Sequence, residues 1–244
     1  MQQSVIEDVT RESQFDPGGE SCETEMIHYL GMYHKYWVNK YKRLKNPAFD
    51  RYSSKILGLK RGKISSVRYF YSLLGKIIPK KSNLMICIVP SSDPGDKNPG
   101  IKRVAKAIAE KNGLIDGTEV LVRTKRIQKL ADGGVRSRRV HYRSIEVRWG
   151  NARKTHKRSV FDGAGAIISE AMRARVTKYL EDLERLIRRI PKSEQVPAMD
   201  NVRVLLIDDV ATSGNSLRAC RELLLRNGAK RVYMLALGRT AAEG

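Results

Sequence analysis

The chain has 244 residues, of which 41% are hydrophobic and 30% charged. That is enough for one α/β domain with a real core and a smaller appendage, and too apolar for a wholly disordered chain. No apolar run approaches the roughly 18 residues of a membrane helix, and residues 1–25 lack the basic start of a secretory signal. Cys22, Cys87 and Cys220 lie far apart, which predicts neither a disulfide framework nor a zinc site. We therefore expect a reducing, cytoplasmic compartment and no membrane partner.

The net charge of +21 is concentrated in two blocks. Residues 1–30 carry −6, whereas residues 31–80 hold thirteen bases against one acid and residues 121–160 hold thirteen against two. Lysine and arginine side chains without acidic neighbours repel one another and are typical of proteins that bind polyanions. Aromatic residues interleaved with the first block could stack on nucleic-acid bases. The alternative for that block is a solvated surface with inward-packed aromatic side chains, and both interpretations stay open.

The pattern of apolar residues divides the chain into three parts. Residues 1–25 form an acidic arm, residues 26–80 a basic, aromatic-rich helical appendage, and residues 81–244 a larger domain. In the appendage, the spacing of apolar residues predicts helices over 26–45 and 64–78.

The larger domain alternates strands and helices, which is typical of an α/β parallel sheet flanked by helices. The predicted strands are 84–89, 119–122, an edge strand or arm at 144–147, 202–207 and 231–237. The predicted helices are 101–112, 163–190 and 215–227. The helix at 163–190 belongs to a helical insertion over 148–200, and its regular apolar stripe is expected to be buried. Ligands in such sheets bind where loops leave the carboxyl ends of the strands.

The segment 204–217 is the most informative for chemistry. A buried strand ends in two adjacent carboxylates, Asp208 and Asp209, and a loop of small hydroxyl residues leads into a helix. Such a loop and the helix N-terminus bind phosphate, whereas the carboxylates suit hydroxyl groups, and together they suit a ribose 5-phosphate. The alternative is a capped strand–helix turn with incidental acids. The candidate phosphate-binding residues are Ala211, Thr212, Ser213, Gly214, Asn215 and Ser216.

This segment resembles the phosphoribosyl pyrophosphate (PRPP) signature of type I phosphoribosyltransferases, in which two acids end a strand and a small hydroxyl loop follows. Within that class the chain is similar to the ComF family. The similarity includes 57–60 in the appendage, Val89-Pro90 after the first strand of the domain, and 235–240 at its end. The zinc-binding cysteines of many ComF relatives have no counterpart here.

The resemblance implies a protein that binds PRPP or a ribose 5-phosphate-containing nucleotide and transfers or exchanges the ribosyl group at a nitrogen. It implies catalytic roles for Asp208 and Asp209, with Mg²⁺ arriving on PRPP rather than at a dedicated protein site. It also implies a mobile flap over 123–143. The remaining residues implied for pyrophosphate are Ser91 and Ser92 in the first loop and Arg136 or Arg138 in the flap.

A second interpretation is a catalytically silent protein of the same fold that binds nucleic acid or acts as a sensor. By the same resemblance it would serve in competence, DNA processing or phage defence, for example beside a retron. The two interpretations can combine, and a protein partner or homo-oligomer is compatible with both. The four histidines form no cluster, and none is assigned as a catalytic base. The bases expected to bind DNA or RNA are Lys40, Lys42, Arg43, Lys60, Arg61, Arg139, Arg143, Arg148, Arg153, Lys154, Lys157 and Arg158.

Overall fold

The computed structural model describes residues 26–39, 41–78, 83–95, 99–127, 137–154 and 202–241. The acidic arm and the predicted helix at 163–190 lie outside the described residues. Within the described part of the chain, no helix is both long and apolar enough to cross a bilayer.

A seven-stranded, mostly parallel sheet forms the centre of the structure. Its strands are β1 (Ile27–Tyr29), β2 (Met32–Tyr33), β5 (Leu84–Ile88), β6 (Ile115–Asp116), β9 (Arg153–Lys154), β10 (Arg203–Ala211) and β11 (Arg231–Thr240). They lie in the order β1, β11, β10, β5, β6, β9, and β2 also pairs with β11. Only β9 runs antiparallel to its neighbour. The prediction of an α/β protein with a largely parallel sheet is therefore confirmed.

Helices cover both faces of this sheet. The longer helices are α1 (Arg51–Lys60), α2 (Ile64–Ile77), α3 (Pro99–Asn112) and α5 (Asn215–Arg226). On one face, α1, α2 and α3 share a core with Leu205 and Ile207 of β10. On the other face, α5 packs with Val204 and Leu206 of the same strand. Because successive strand residues point to opposite faces, burial on both faces gives the continuous apolar run of β10.

Two short hairpins complete the described structure. β3 (Trp37–Asn39) pairs with β4 (Leu44–Lys45), and β7 (Leu121–Arg123) pairs with β8 (Ile145–Val147). The short helix α4 (Arg138–Tyr142) precedes β8 and packs against α5. Trp149 follows β8 and donates its indole N–H to the carbonyl oxygen of Asn227, 2.7 Å away. The predicted strands at 119–122 and 144–147 correspond to β7 and β8, but the two pair with each other in a separate antiparallel sheet. The strand beside β5 in the main sheet, on the side away from β10, is β6, which was not predicted.

The helix predicted over 26–45 is wrong. These residues form β1 to β4, and the backbone N–H of Leu30 donates to the carbonyl oxygen of Ala236, 3.2 Å away, beside the sheet. The segment contains four tyrosines together with one isoleucine, one valine and one tryptophan, residue types that favour strands, and its three-to-four spacing of apolar residues only mimics a helix. The predicted helix at 64–78 is confirmed as α2, while α1 was not predicted.

Candidate functional site

Asp208 and Asp209 lie at the carboxyl edge of the sheet, in the last part of its central strand. Ile207 still pairs with Ile88 of β5, and its carbonyl oxygen accepts the backbone N–H of Val89 at 2.9 Å. One residue later β5 has ended, so the two carboxylates meet the loop that leaves it. The backbone N–H of Asp209 donates to Oδ1 of Asp208 at 2.8 Å, which links the two acids directly.

Lys60, the last residue of α1, brings a positive charge to this acid pair. Its Nζ lies 3.1 Å from Oδ1 of Asp209 and 5.8 Å from the centre of the Tyr33 ring. Burial lowers the pKa of Lys60, but Asp209 and Asp208 together outweigh burial, so the net pKa is raised. Predicted from sequence to bind nucleic acid, Lys60 is placed by the structure in the candidate site instead.

The two acids of the pair differ in their surroundings. Burial, followed by the neighbouring charge of Asp209, raises the pKa of Asp208 to about 8. Asp208 is therefore mostly protonated at neutral pH, while Asp209 has a cationic partner in Lys60. A protonated carboxyl can donate a hydrogen bond and a carboxylate can only accept. The pair thus offers one donor and several acceptors to the two neighbouring hydroxyls of a sugar.

The loop after β10 turns sharply into α5. Gly214 adopts φ 71°, the left-handed region, and precedes the helix without a side-chain cap. An added Cβ at this position would lie 2.2 Å from Cδ1 of Ile27, so β1 packs closely over the loop. Arg218 donates from its guanidinium to the carbonyl oxygen of Ser213 at 2.7 Å. This turn presents the N-terminus of a twelve-residue helix, where anions bind favourably.

Hydroxyl groups on both sides of this loop contact neighbouring elements. The hydroxyl oxygens of Thr212 and Thr240 are 2.9 Å apart, which ties the loop to the end of β11. The hydroxyl of Ser216 lies 3.4 Å from both ring nitrogens of His141 in α4. Burial, and then the charge of Arg123, lower the pKa of His141 to about 4. His141 is therefore neutral near pH 7 and contacts Ser216 as an uncharged imidazole.

Arg123 connects the first loop to the β7–β8 hairpin. Its guanidinium donates to the carbonyl oxygen of Ser91 at 2.8 Å, to that of Pro90 at 3.3 Å and to the hydroxyl of Ser144 at 2.6 Å. The carbonyl oxygen of Ser92 accepts the backbone N–H of Ile127 at 2.9 Å. The loop predicted to bind pyrophosphate is therefore attached to the segment that was predicted to begin the flap.

A cleft of about 260 Å³ lies beside this loop, with Ser91, Asp93, Lys102, Glu119 and Arg123 in its wall. Lys102 forms an ion pair with Glu119, so the wall of the cleft carries both positive and negative side chains. Ile88 and Val89 at the end of β5 also line the cleft, which places it at the carboxyl edge of the sheet, whereas neither Asp208 nor Asp209 lines it. Its size and polarity fit a small polar molecule.

The predicted nucleic-acid residues divide into three groups. Lys42 and Arg43 are exposed in the turn of the β3–β4 hairpin, and Arg61 is exposed after α1. A second exposed group lies around α4, β8 and β9: Arg139, Arg143, Arg148, Arg153 and Lys154. Arg148 pairs with Glu146 at 2.9 Å. The third group, Lys40, Lys157 and Arg158, lies outside the described residues. Of the two arginines predicted for pyrophosphate, Arg138 is exposed at the start of α4 and Arg136 lies outside the described residues.

Several members of the site were not predicted in their roles. Lys60 belongs to the segment 57–60, which resembles the ComF family. No local sequence pattern indicated that its side chain reaches Asp209, which is 149 positions later in the chain. His141 was not predicted to lie beside Ser216, and Arg123 was not predicted to bind the first loop. No group of three or more His, Cys, Asp or Glu side chains that could hold a metal ion occurs in the described ranges.

Comparisons with other proteins identify no relative of this chain. No protein-family model, no curated protein and no solved structure matches it. The α/β class therefore rests on the structure itself, and what the site binds has to be inferred from its geometry.

Proposed function

We propose that the chain is a phosphoribosyltransferase-like protein that binds PRPP or a ribose 5-phosphate-containing nucleotide at the carboxyl edge of its sheet. The observation that carries the proposal is the order of structural features along β10 and the loop that connects it to α5. The acid pair Asp208–Asp209 near the end of β10 is followed, five positions after Asp209, by a left-handed glycine and a helix N-terminus. Ribose 5-phosphate carries two neighbouring hydroxyl groups and, a few ångströms away, a phosphate group.

In this proposal Asp208 and Asp209 bind the two ribose hydroxyls, and residues 211–216 bind the 5′-phosphate. Lys60 pairs with Asp209 and holds its side chain in place. The first loop and one of the flap arginines, Arg136 or Arg138, bind the pyrophosphate, and the cleft beside Ser91 and Arg123 provides space for it. Mg²⁺ enters with PRPP and neutralises part of its pyrophosphate charge.

The proposed reaction is a substitution at the anomeric carbon of the sugar. The bond from that carbon to pyrophosphate breaks, and its electron pair leaves with pyrophosphate. Positive charge builds on the sugar and is stabilised by the nearby carboxylate of Asp209. A nitrogen nucleophile forms the new bond and releases its proton to solvent.

Binding of PRPP with Mg²⁺ is expected to stabilise the fold. At a ligand concentration of about one hundred times Kd, the gain is about 2.7 kcal/mol, which corresponds to roughly 5–10 °C in Tm for a chain of this size. The double variant Asp208→Asn, Asp209→Asn is expected to lose this shift. Thermal unfolding with and without PRPP measures both.

The matched control is Glu146→Gln, Glu222→Gln, which removes two carboxylates that pair with arginines away from the site. This control should retain the full shift. If PRPP, ribose 5-phosphate and common nucleotides all fail to shift Tm, the proposed pocket is wrong. Release of pyrophosphate from PRPP in the presence of nucleobases then distinguishes an active enzyme from a catalytically silent binder.

Association with nucleic acid is the second candidate function, and it is compatible with the first. It is favoured by the exposed lysine and arginine side chains of residues 137–154, a stretch whose single acidic residue is Glu146. A surface of this composition attracts phosphates without requiring a particular base sequence. Salt-dependent binding of oligonucleotides by the purified protein tests this function independently of PRPP.

A further inference from the structure

The turn of the β3–β4 hairpin exposes large side chains to solvent. Tyr41 is 98% exposed, Val38 is 61% exposed and Leu44 is 56% exposed. Three exposed large side chains within seven residues of the chain are typical of an interaction surface. We refer to residues 38, 39 and 41–44 as the hairpin tip.

The base of the hairpin is held in place, so the hairpin tip has a defined position. The ring of Tyr36 packs edge-on against Trp37 and Phe49, with ring centres 4.7 Å and 4.9 Å apart. The backbone N–H of Asn46 donates to the carbonyl oxygen of Tyr36 at 2.9 Å.

The turn itself is also shaped. Oδ1 of Asn39 accepts the backbone N–H of Lys42 at 2.9 Å, and Arg43 adopts the left-handed φ of 51° that reverses the chain. A left-handed backbone is uncommon for a residue other than glycine. Tyr41 thus lies beside a hydrogen-bonded turn and is exposed to solvent.

The charge around the hairpin tip indicates the class of that partner. Residues 26–49 contain five lysines and arginines and no acid, and Lys42, Arg43 and Lys45 are exposed. A second copy of the same surface would be repelled, whereas an anion with a flat apolar face would be attracted. Nucleic-acid strands combine phosphates with bases that stack on tyrosine rings.

We propose that the hairpin tip binds single-stranded nucleic acid, with Tyr41 stacked on an unpaired base and Lys42 and Arg43 at the flanking phosphates. A single strand is required because the faces of the bases in a duplex are covered by their neighbours. The proposal rests on the proposed association with nucleic acid and adds to it a site, a strand preference and a stacking residue.

Fluorescence anisotropy with labelled oligonucleotides tests this proposal. Tyr41→Ala should weaken binding of a single-stranded twelve-mer about 5- to 150-fold, whereas Tyr41→Phe should bind as the wild type does. Lys42→Ala, Arg43→Ala should reduce the slope of log Kd against log salt by about 1.4. The control Arg68→Ala, Lys76→Ala removes the same number of exposed charges from α2 and should change the affinity much less. DNA and RNA twelve-mers show which sugar is preferred.

The possible outcomes distinguish binding by the hairpin tip from the general association with nucleic acid. If the wild type binds no oligonucleotide, the association with nucleic acid fails and the hairpin proposal fails with it. If the wild type binds but Tyr41→Ala binds equally well, only the hairpin proposal is overturned. Equal affinity for duplex and single strand, or binding of anionic phospholipid vesicles without oligonucleotide binding, also overturns it.

Discussion

Replacing Asp208 by asparagine is expected to raise the free energy of unfolding at pH 8 and to change it little at pH 4. Burial and the charge of Asp209 raise the pKa of the Asp208 carboxyl to about 8 in the folded protein. In an unfolded chain an aspartate has a pKa of about 3.9. Between these values the folded protein holds a proton that the unfolded chain has released.

The sign of the effect follows from this difference in bound protons. Because the folded state binds more protons from about pH 4 to about pH 8, rising pH favours unfolding of the wild type. The loss is at most about 1.4 kcal/mol per pH unit. Asparagine does not titrate, and its amide oxygen can still accept the backbone N–H of Asp209. The stability advantage of the variant should therefore grow with pH and level off above pH 8.

Urea unfolding of the two proteins at pH 4.5, 6 and 8 measures this advantage. Glu146→Gln, which changes an exposed carboxyl, provides a control that should show no comparable pH trend. An advantage that is the same at all three pH values would show that Asp208 is ionised in the folded protein. Such an acid pair destabilises the fold at neutral pH, which is typical of residues that serve a ligand rather than stability.

Gly100→Ala is expected to destabilise the protein by about 3 kcal/mol, at the upper end of the range for overpacked positions. A Cβ at position 100 would lie 1.9 Å from the carbonyl oxygen of Leu59 and 2.8 Å from its carbonyl carbon. Both atoms belong to the backbone of α1, so no side-chain rotation can relieve the clash. Either α1 or α3 has to move.

The matched control is Gly150→Ala, because a Cβ at position 150 meets no atom within 4 Å. Its free energy of unfolding should stay close to that of the wild type. Since α1 ends at Lys60, displacement of this helix should also disturb the pairing of Lys60 with Asp209 and weaken PRPP binding. If Gly100→Ala is as stable as Gly150→Ala, the close packing of α1 on α3 is wrong.

The central strands could be predicted because burial on both faces leaves a continuous apolar run in the sequence. Residues 84–88 and 203–207 are buried throughout, and both runs were predicted as strands. The acid pair stood out because it interrupts such a run at its end. Local sequence was sufficient in these cases because the deciding interactions lie within one strand, loop and helix.

The N-terminal strands could not be predicted in the same way. Ile27 pairs with Met234, more than two hundred positions later, and no local pattern signals this pairing. Aromatic residues at intervals of three or four fit a helix as well as a set of short strands. The contact between Lys60 and Asp209 depends on the packing of α1 over the sheet. The contact between His141 and Ser216 depends on the packing of α4 against α5. Such contacts follow from tertiary structure alone.

The central claim is that the acid pair binds ribose hydroxyls next to a phosphate site. Isothermal titration of the wild type with ribose 5-phosphate and with 2-deoxyribose 5-phosphate tests it most directly, since the two ligands differ by one hydroxyl. Loss of a hydrogen bond to a partly buried carboxyl should weaken binding about tenfold or more. In the variant Asp208→Asn, Asp209→Asn this preference should largely disappear. Equal affinity of the wild type for the two sugars would contradict the assignment of Asp208 and Asp209 to the ribose.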